Sequence, residues 1–250
     1  MPVPVVVLRE AWSTVVPDMN DRHGPLPPLM LALTVVTGLV DAVSYLELGH
    51  VFVANMTGNV VFSGFSIAGA PGFSFAASLV ALAAFAVGAL FGGMIVHRAL
   101  THRGRMLLYA LLVETACVLA ALIVTLLSGH PFVGAVRFAL IALLGLGLGV
   151  QNAVSRALAV PDLTTTVLTL TITGVLSDSR FAGGGGSKAG RRVLSAAAMM
   201  AGAFVGAAAA LHGHPRLPLL LVVVILAAVT TAALVLARAD APWVRPIVSK

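Results

Sequence analysis

Long apolar stretches dominate the chain, and most of them reach the length that a membrane-spanning helix needs. Such a helix takes about 20 consecutive, mostly apolar residues. Short segments with charged residues, Gly or Pro separate the stretches. The pattern therefore predicts an all-α, polytopic transmembrane helical bundle with full spans at residues 28–48, 74–96, 106–127, 132–152, 193–211 and 218–237.

Two further apolar stretches, residues 51–69 and 162–177, are shorter or more strongly interrupted by polar residues. The first contains an Asn/Thr/Gly cluster and the second is rich in Thr. Lipid cannot pair free backbone N–H and C=O groups, so such segments must be buried in protein or line a wet cavity. We therefore predict two broken or re-entrant segments in addition to the six full spans.

A short sequence occurs twice, each time just before one of the broken segments. Residues 38–44 read Gly-Leu-Val-Asp-Ala-Val-Ser, and residues 149–155 read Gly-Val-Gln-Asn-Ala-Val-Ser. The order of span, broken segment, span and span is also repeated. This duplication predicts one membrane domain made of two repeats, residues 28–127 and 132–237, and is typical of secondary transporters whose site lies between two halves.

A Gly-x-x-x-Gly pattern recurs at equivalent places in the two repeats, at Gly88 and Gly92 and again at Gly202 and Gly206. Small residues at this spacing let two helix backbones approach closely. Because 250 residues make a small transporter, these glycine faces predict association of copies into a homo-oligomer.

Composition excludes a soluble domain. Only 10% of the residues are charged and 59% are hydrophobic, whereas a soluble domain has about 25% charged residues. The net charge of +6 comes without a stripe of basic and aromatic residues, so nucleic-acid binding is not expected. The partner is the lipid bilayer.

Basic residues cluster in loops 97–105 and 178–192 and in the C-terminal tail 238–250, which places these segments in the cytoplasm by the positive-inside rule. The N-terminal tail, residues 1–27, then also lies in the cytoplasm. These loop locations are consistent with one another if each broken segment enters and leaves the membrane on the same side, which gives each repeat three full spans. An odd number inverts one repeat relative to the other, whereas full crossings would make the repeats parallel.

Two acidic residues lie inside predicted spans, where an ionisable group is costly and usually functional. Asp41 is the leading candidate for binding a proton or cation, and Glu114 is a second candidate. Asn152 occupies the position of Asp41 in the second repeat. The structural alternatives are that Asp41 caps the end of a broken segment and that Glu114 pairs with a polar neighbour.

The polar residues of the broken segments are candidates for lining a substrate site. They offer neutral donors and acceptors, although Thr in a membrane helix often bonds only to its own backbone. The candidates are Asn55, Thr57, Gly58, Asn59, Asn152, Asp162, Thr164, Thr165, Thr166 and Thr169. Without a His-Glu-x-x-His motif or a nucleophile–base pair, we expect no metal, no cofactor and no enzyme activity.

The sequence Val-Ala-Asn-Met-Thr-Gly-Asn at 53–59, together with Val-Pro-Asp-Leu-Thr-Thr-Thr-Val-Leu-Thr at 160–169, resembles the YoaK family of bacterial integral membrane proteins, a domain of unknown function numbered 1275. The resemblance covers about residues 28–237. It implies a multi-pass protein of the bacterial inner membrane and no established substrate.

Together these features favour a secondary transporter for a small molecule or anion. The alternatives are a passive channel, which would use the same polar lining without a titrating acid, and a non-transporting scaffold or sensor. Asp41→Asn should abolish driven uptake by a transporter and leave the flux through a channel intact.

Overall fold

The computed structural model describes residues 3–99, 102–161, 163, 173, 189–238 and 241–245. This part of the chain is helical and contains no β-strand. Its helices are α1 (Val3–Val15), α2 (Leu26–Glu47), α3 (Met56–Ile67), α4 (Phe75–Arg98), α5 (Arg103–Leu127), α6 (Gly134–Leu158), α7 (Ala189–Leu211) and α8 (Leu217–Leu236), followed by a 3-10 turn, Pro242–Val244.

Six of these helices, α2 and α4 to α8, are long and apolar enough to cross a bilayer. They coincide with the six predicted spans, so the prediction of a multi-span helical bundle is confirmed. The main difference is that α6 continues to Leu158, beyond the predicted end at residue 152. Most of the second predicted broken segment lies outside the described residues.

Helix α1 was not anticipated, because the first 27 residues were predicted only to be a tail. It packs against α7. The backbone N–H of Gly190 donates to the Glu10 carboxylate at 3.1 Å, and Arg191 Nε donates to Thr14 Oγ1 at 3.3 Å. These contacts join the N-terminal helix to the start of α7.

The closest helix pairs are α2 with α7 and α4 with α6. A Cβ atom on Gly38 would collide with the carbonyl oxygen of Met199, and one on Gly149 would collide with that of Phe85. Gly38 and Gly149 begin the two copies of the duplicated sequence. The duplicated glycines therefore make matching contacts in two different helix pairs.

The Gly-x-x-x-Gly faces provide the other side of both pairs. Gly88 lies against Leu146, and Gly202 lies against Val35. All four glycines of the two motifs are buried within the chain. The prediction that these faces join separate copies is therefore wrong, because intramolecular packing already covers them.

Two contacts identify one end of the bundle, here called the His130 end. His50 Nδ1 lies 2.8 Å from the carbonyl oxygen of Gly72, which joins the segment after α2 to the segment before α4. Glu47 Oε2 lies 2.8 Å from Nε2 of His130, which comes just before α6. The end of α2 and the starts of α4 and α6 therefore lie at the same end.

The opposite end, here called the Arg103 end, is held together by one buried arginine. Arg103 is 2% exposed and donates to the carbonyl oxygens of Arg22, Leu158 and Trp243 at 2.9, 2.5 and 3.3 Å. This end of the bundle therefore brings together four parts of the chain: the start of α2, the start of α5, the end of α6 and the segment after α8.

Between α2 and α4 the chain turns at Gly49 and His50, both with positive φ, and runs without helix to Asn55. Helix α3 then has 12 residues, a length of about 18 Å that is shorter than a hydrocarbon core of about 30 Å. The sequence had indicated a broken segment here. The inverted relation of the repeats and the re-entry of both segments stay predictions.

Candidate functional site

Asp41 lies in α2, and its carboxylate accepts hydrogen bonds from the chain segment that follows that helix. Oδ1 accepts hydrogen bonds from the N–H groups of Val53 and Ala54, both at 3.0 Å. Oδ2 accepts a hydrogen bond from Asn55 Nδ2 at 2.6 Å. Asp41 is 4% exposed. Its carboxylate therefore has three donors around it, which is the environment of an ionised group that caps free backbone N–H groups.

The Asn59 side chain forms hydrogen bonds with the backbone of the same non-helical stretch. Its Oδ1 accepts from the N–H of Phe52 at 2.9 Å, and its Nδ2 donates to the Phe52 carbonyl oxygen at 2.6 Å. The side chain is completely buried. Asn59 thus replaces the backbone partner that a helix or strand would supply.

The other two candidates of this cluster have different surroundings. A Cβ atom on Gly58 would lie 2.7 Å from the Phe52 ring, so the absence of a side chain lets that ring pack against α3. Thr57 is exposed on the outer surface of the bundle. The structure therefore brings Asn55 and Asn59 together around the chain after α2, but it does not bring Thr57 to them.

Glu114, on α5, is the most deeply buried acidic group among the described residues, with no exposed surface. Its polar neighbour is Gln151 of α6, and Gln151 lies 3.1 Å from the hydroxyl of Thr37 on α2. Thr37 is also completely buried, and Gln151 is 2% exposed. Three helices thus contribute one polar side chain each to a site that is closed to solvent.

The oxygen and nitrogen of the Gln151 amide can be placed in either of two ways, and the two differ in what they offer Glu114. With its nitrogen toward Thr37, its oxygen faces the carboxyl group, and only a protonated Glu114 can donate to it. With the amide turned over, its nitrogen donates to Glu114 Oε1 at 2.5 Å and its oxygen accepts from Thr37 Oγ1 at 3.1 Å. The turned orientation gives both the amide nitrogen and the amide oxygen a partner, so we assign it.

The counterpart of Asp41 in the second repeat is Asn152. Its Nδ2 donates to the carbonyl oxygen of Leu148, one turn earlier in α6, at 3.0 Å. The remaining substrate-lining candidates lie outside the described residues: Asp162, Thr164, Thr165, Thr166 and Thr169.

Sequence reasoning did not single out Gln151 and Thr37, although both were within its reach. Gln151 lies in the second copy of the duplicated sequence, and Thr37 immediately precedes the first copy. A Gln in an apolar span needs a partner as much as an acid does. The pattern did not indicate, however, that the faces of α2, α5 and α6 carrying these residues meet.

Comparison with known proteins identifies the family. The family described as "Protein of unknown function (DUF1275)" matches residues 29–232, a region that contains Asp41, Glu114 and Gln151. The chain belongs to this family. The resemblance seen in the sequence is therefore confirmed.

A curated relative, the UPF0700 transmembrane protein YoaK of Bacillus subtilis (strain 168), is 33% identical over 152 residues. The match covers 60% of this chain and 65% of YoaK, so the chain spans less than two thirds of that relative's length. No solved structure matches the chain. Together with the six apolar helices, these findings make the protein a multi-pass membrane protein of an uncharacterised family.

Proposed function

We propose that the protein is a secondary transporter for a small molecule or anion, built from two inverted repeats, and that Glu114 is its proton-coupling group. The observation that carries the proposal is the buried chain of Glu114, Gln151 and Thr37. Its members come from both repeats, at the place where α5 and α6 pack together.

The directions of the helices support the inverted repeat. The first span of repeat one, α2, ends at the His130 end, where Glu47 meets His130. The first span of repeat two, α6, begins at that end and finishes at the Arg103 end, where Leu158 accepts from Arg103. Equivalent spans therefore run in opposite directions, as an inverted repeat requires.

The helix pairs support the same relation. The contact of α2 with α7 matches that of α6 with α4, because each joins the first span of one repeat to the second span of the other. The contact of α2 with α8 matches that of α6 with α5 in the same way, from first span to third span. Within the first two pairs, Gly38 and Gly149 make matching backbone contacts. A pseudo-twofold arrangement of this kind allows one half to move relative to the other, which is how alternating access works in many transporters.

The segment around Asp41 supports a site deep in the bundle. Non-helical backbone at membrane depth occurs where it is buried in protein or lines a cavity. Asp41 and Asn59 pair the backbone from Phe52 to Ala54. We assign Asp41 the role of a charged cap that holds this segment, which is the structural alternative raised by the sequence.

Glu114 has a different environment, and that environment suits proton exchange. No salt bridge holds its charge within the described residues. One rotation of the Gln151 amide gives a partner to either the neutral or the ionised carboxyl group. Loss of the proton would therefore change the contacts of three helices without leaving a buried group unpaired, which is a suitable link between proton binding and movement of the halves.

The test uses proteoliposomes with a pH-sensitive dye inside and a panel of small organic acids, amines and neutral metabolites added outside. A transported substrate should cause proton movement with the natural protein. With Glu114→Gln that movement should be lost, while exchange of labelled substrate for unlabelled substrate continues. Glu47→Gln is the matched control, because Glu47 lies at the His130 end of the bundle.

The alternatives predict other results. A passive channel would conduct substrate equally with Glu114→Gln, and a scaffold or sensor would give no flux with any member of the panel. Asp41→Asn separates the two acidic residues. As a cap, Asp41 should affect mainly stability. Asn keeps one oxygen for the N–H groups of Val53 and Ala54 but sets an NH2 group against Asn55 Nδ2, so we expect a loss of about 1–3 kcal/mol. A stable Asp41→Asn protein that had lost proton movement would make Asp41 the coupling group instead.

A further inference from the structure

A groove at the Arg103 end, between α5 and α8, has features that the proposed transport function does not use. Its volume is about 690 Å³. It opens to the surface of the bundle, and its lining combines basic and apolar side chains. The residues that matter here are His102, Arg105, Leu108, Tyr109, Leu234 and Arg238.

The part of this groove nearest the Arg103 end is basic. Arg105 and Arg238 line it beside His102, whose Nδ1 accepts from the Arg105 N–H, and no described acidic side chain lines it. Arg105 and Arg238 are both exposed, and neither forms a salt bridge with any described residue. Converging positive charges without a counter-charge attract an anion.

Farther from the Arg103 end the groove is apolar and runs along α5 and α8. Leu108 and Tyr109 come from α5, and Leu234 comes from α8. Tyr109 is 47% exposed, and it also lines a second groove of about 730 Å³ on the α4 side. Phe91 and Met94 line that groove, and Arg98 adds another basic group. Apolar surface therefore runs down both sides of Tyr109 from one basic rim.

We propose that this surface binds an anionic phospholipid, with the headgroup between Arg105 and Arg238 and the acyl chains along α5 on either side of Tyr109. A phospholipid presents the same two chemistries as the groove, a phosphate at the bilayer surface and hydrocarbon below it. Basic pockets between transmembrane helices are suited to such headgroups. Positive-inside topology explains arginines at this end of the bundle, but it does not require them to share a groove with an exposed tyrosine and leucine.

The test is lipid retention by purified protein, measured by native mass spectrometry after exchange into detergent with phosphatidylglycerol or phosphatidylcholine. The natural protein should retain phosphatidylglycerol in preference to phosphatidylcholine. Removing two charges with Arg105→Gln and Arg238→Gln should weaken that retention by about 25-fold, at roughly fivefold for each basic residue. Arg156→Gln is the matched control, because Arg156 is an exposed arginine that does not line the groove.

Two further measurements keep the result clear. If the double variant does not fold, Arg238→Gln alone serves, because Arg238 lies after the end of α8. Retention by the natural protein should also fall as salt is raised, and inorganic phosphate at millimolar concentration should not displace the lipid, since it lacks the acyl chains. Equal retention of both lipids, or full displacement by phosphate, would overturn the proposal.

Discussion

At the scale of single residues, three buried polar side chains take the place of missing backbone partners. The Asp41 carboxylate and the Asn59 amide pair the backbone of the chain after α2, where no helix or strand does so. Arg103 pairs carbonyl oxygens at three distant places in the sequence. Glu114 differs from them, because its polar partner is another side chain, the Gln151 amide.

His23, which precedes α2, provides a prediction of pH dependence. Burial lowers the pKa of His23 below its usual value of 6.5, and the charge of Arg103 lowers it further. Arg103 Nη2 lies 3.4 Å from His23 Nδ1, and arginine can only donate, so the contact requires an unprotonated Nδ1. The folded state therefore binds a proton on His23 less readily than the unfolded state does.

Because the unfolded state binds the extra proton, stability contributed by His23 is complete above pH 6.5 and is lost as the pH falls below that value. We expect the temperature of half-unfolding in detergent to decrease when the pH is lowered from 7 to 5. The decrease should be smaller in a His23→Gln variant. His97→Gln, at an exposed position, should keep the natural profile. A His23→Gln profile that matched the natural one would contradict this account.

At the scale of elements, close packing of helix pairs depends on glycines at the contacts rather than on large side chains. Gly88 of α4 lies against the backbone of Leu146 in α6, whereas Gly93 of the same helix has no heavy atom within 4 Å of a built Cβ position. Two glycines only a few residues apart therefore have opposite roles, and sequence alone does not distinguish them.

This difference predicts opposite effects of the same substitution. Gly88→Ala should destabilise the protein by about 1–3 kcal/mol, because the new methyl group collides with backbone that cannot move aside. Gly93→Ala should be neutral or should stabilise by up to about 1 kcal/mol through helix propensity. Denaturant unfolding in detergent measures both. Equal destabilisation by the two variants would show that the α4–α6 contact is not as close as described.

At the scale of the whole molecule, the contacts at the two ends determine which loops share a membrane face. The His130 end brings together the chain before α4 and the chain before α6. The Arg103 end carries Arg98, Arg105, Arg156 and Arg238, and the positive-inside rule predicts that it faces the cytoplasm. Bacterial inner-membrane location and this orientation remain predictions.

Cysteine labelling of intact cells tests the orientation. In a Cys117→Ser background, Ala70→Cys and Gly129→Cys at the His130 end should react with an impermeant maleimide from outside. Arg105→Cys and Arg156→Cys should react only after permeabilisation. The reverse pattern would invert the orientation while leaving the fold intact. Reaction of Ala70→Cys and Gly129→Cys from opposite sides would contradict the fold itself.

The sequence by itself determined the class of protein and the positions of its spans. Apolar length does this because a long apolar helix pairs its backbone groups within itself, as lipid requires. The duplicated motif and the polar segment after it likewise singled out Asp41 and Asn59. Capping by Asp41 was one of the two sequence interpretations, because its partners lie close to it in the chain, whereas the sequence did not predict the bonds that Asn59 makes to Phe52.

Only the tertiary structure decided which helix faces meet. It placed the Gly-x-x-x-Gly faces inside the chain, where the sequence had favoured an oligomer contact. It also brought Glu114, Gln151 and Thr37 together from three helices. The physical reason is that a span surrounded by lipid is apolar on every side, so hydrophobic periodicity does not mark the face that touches protein, and close packing alone selects it.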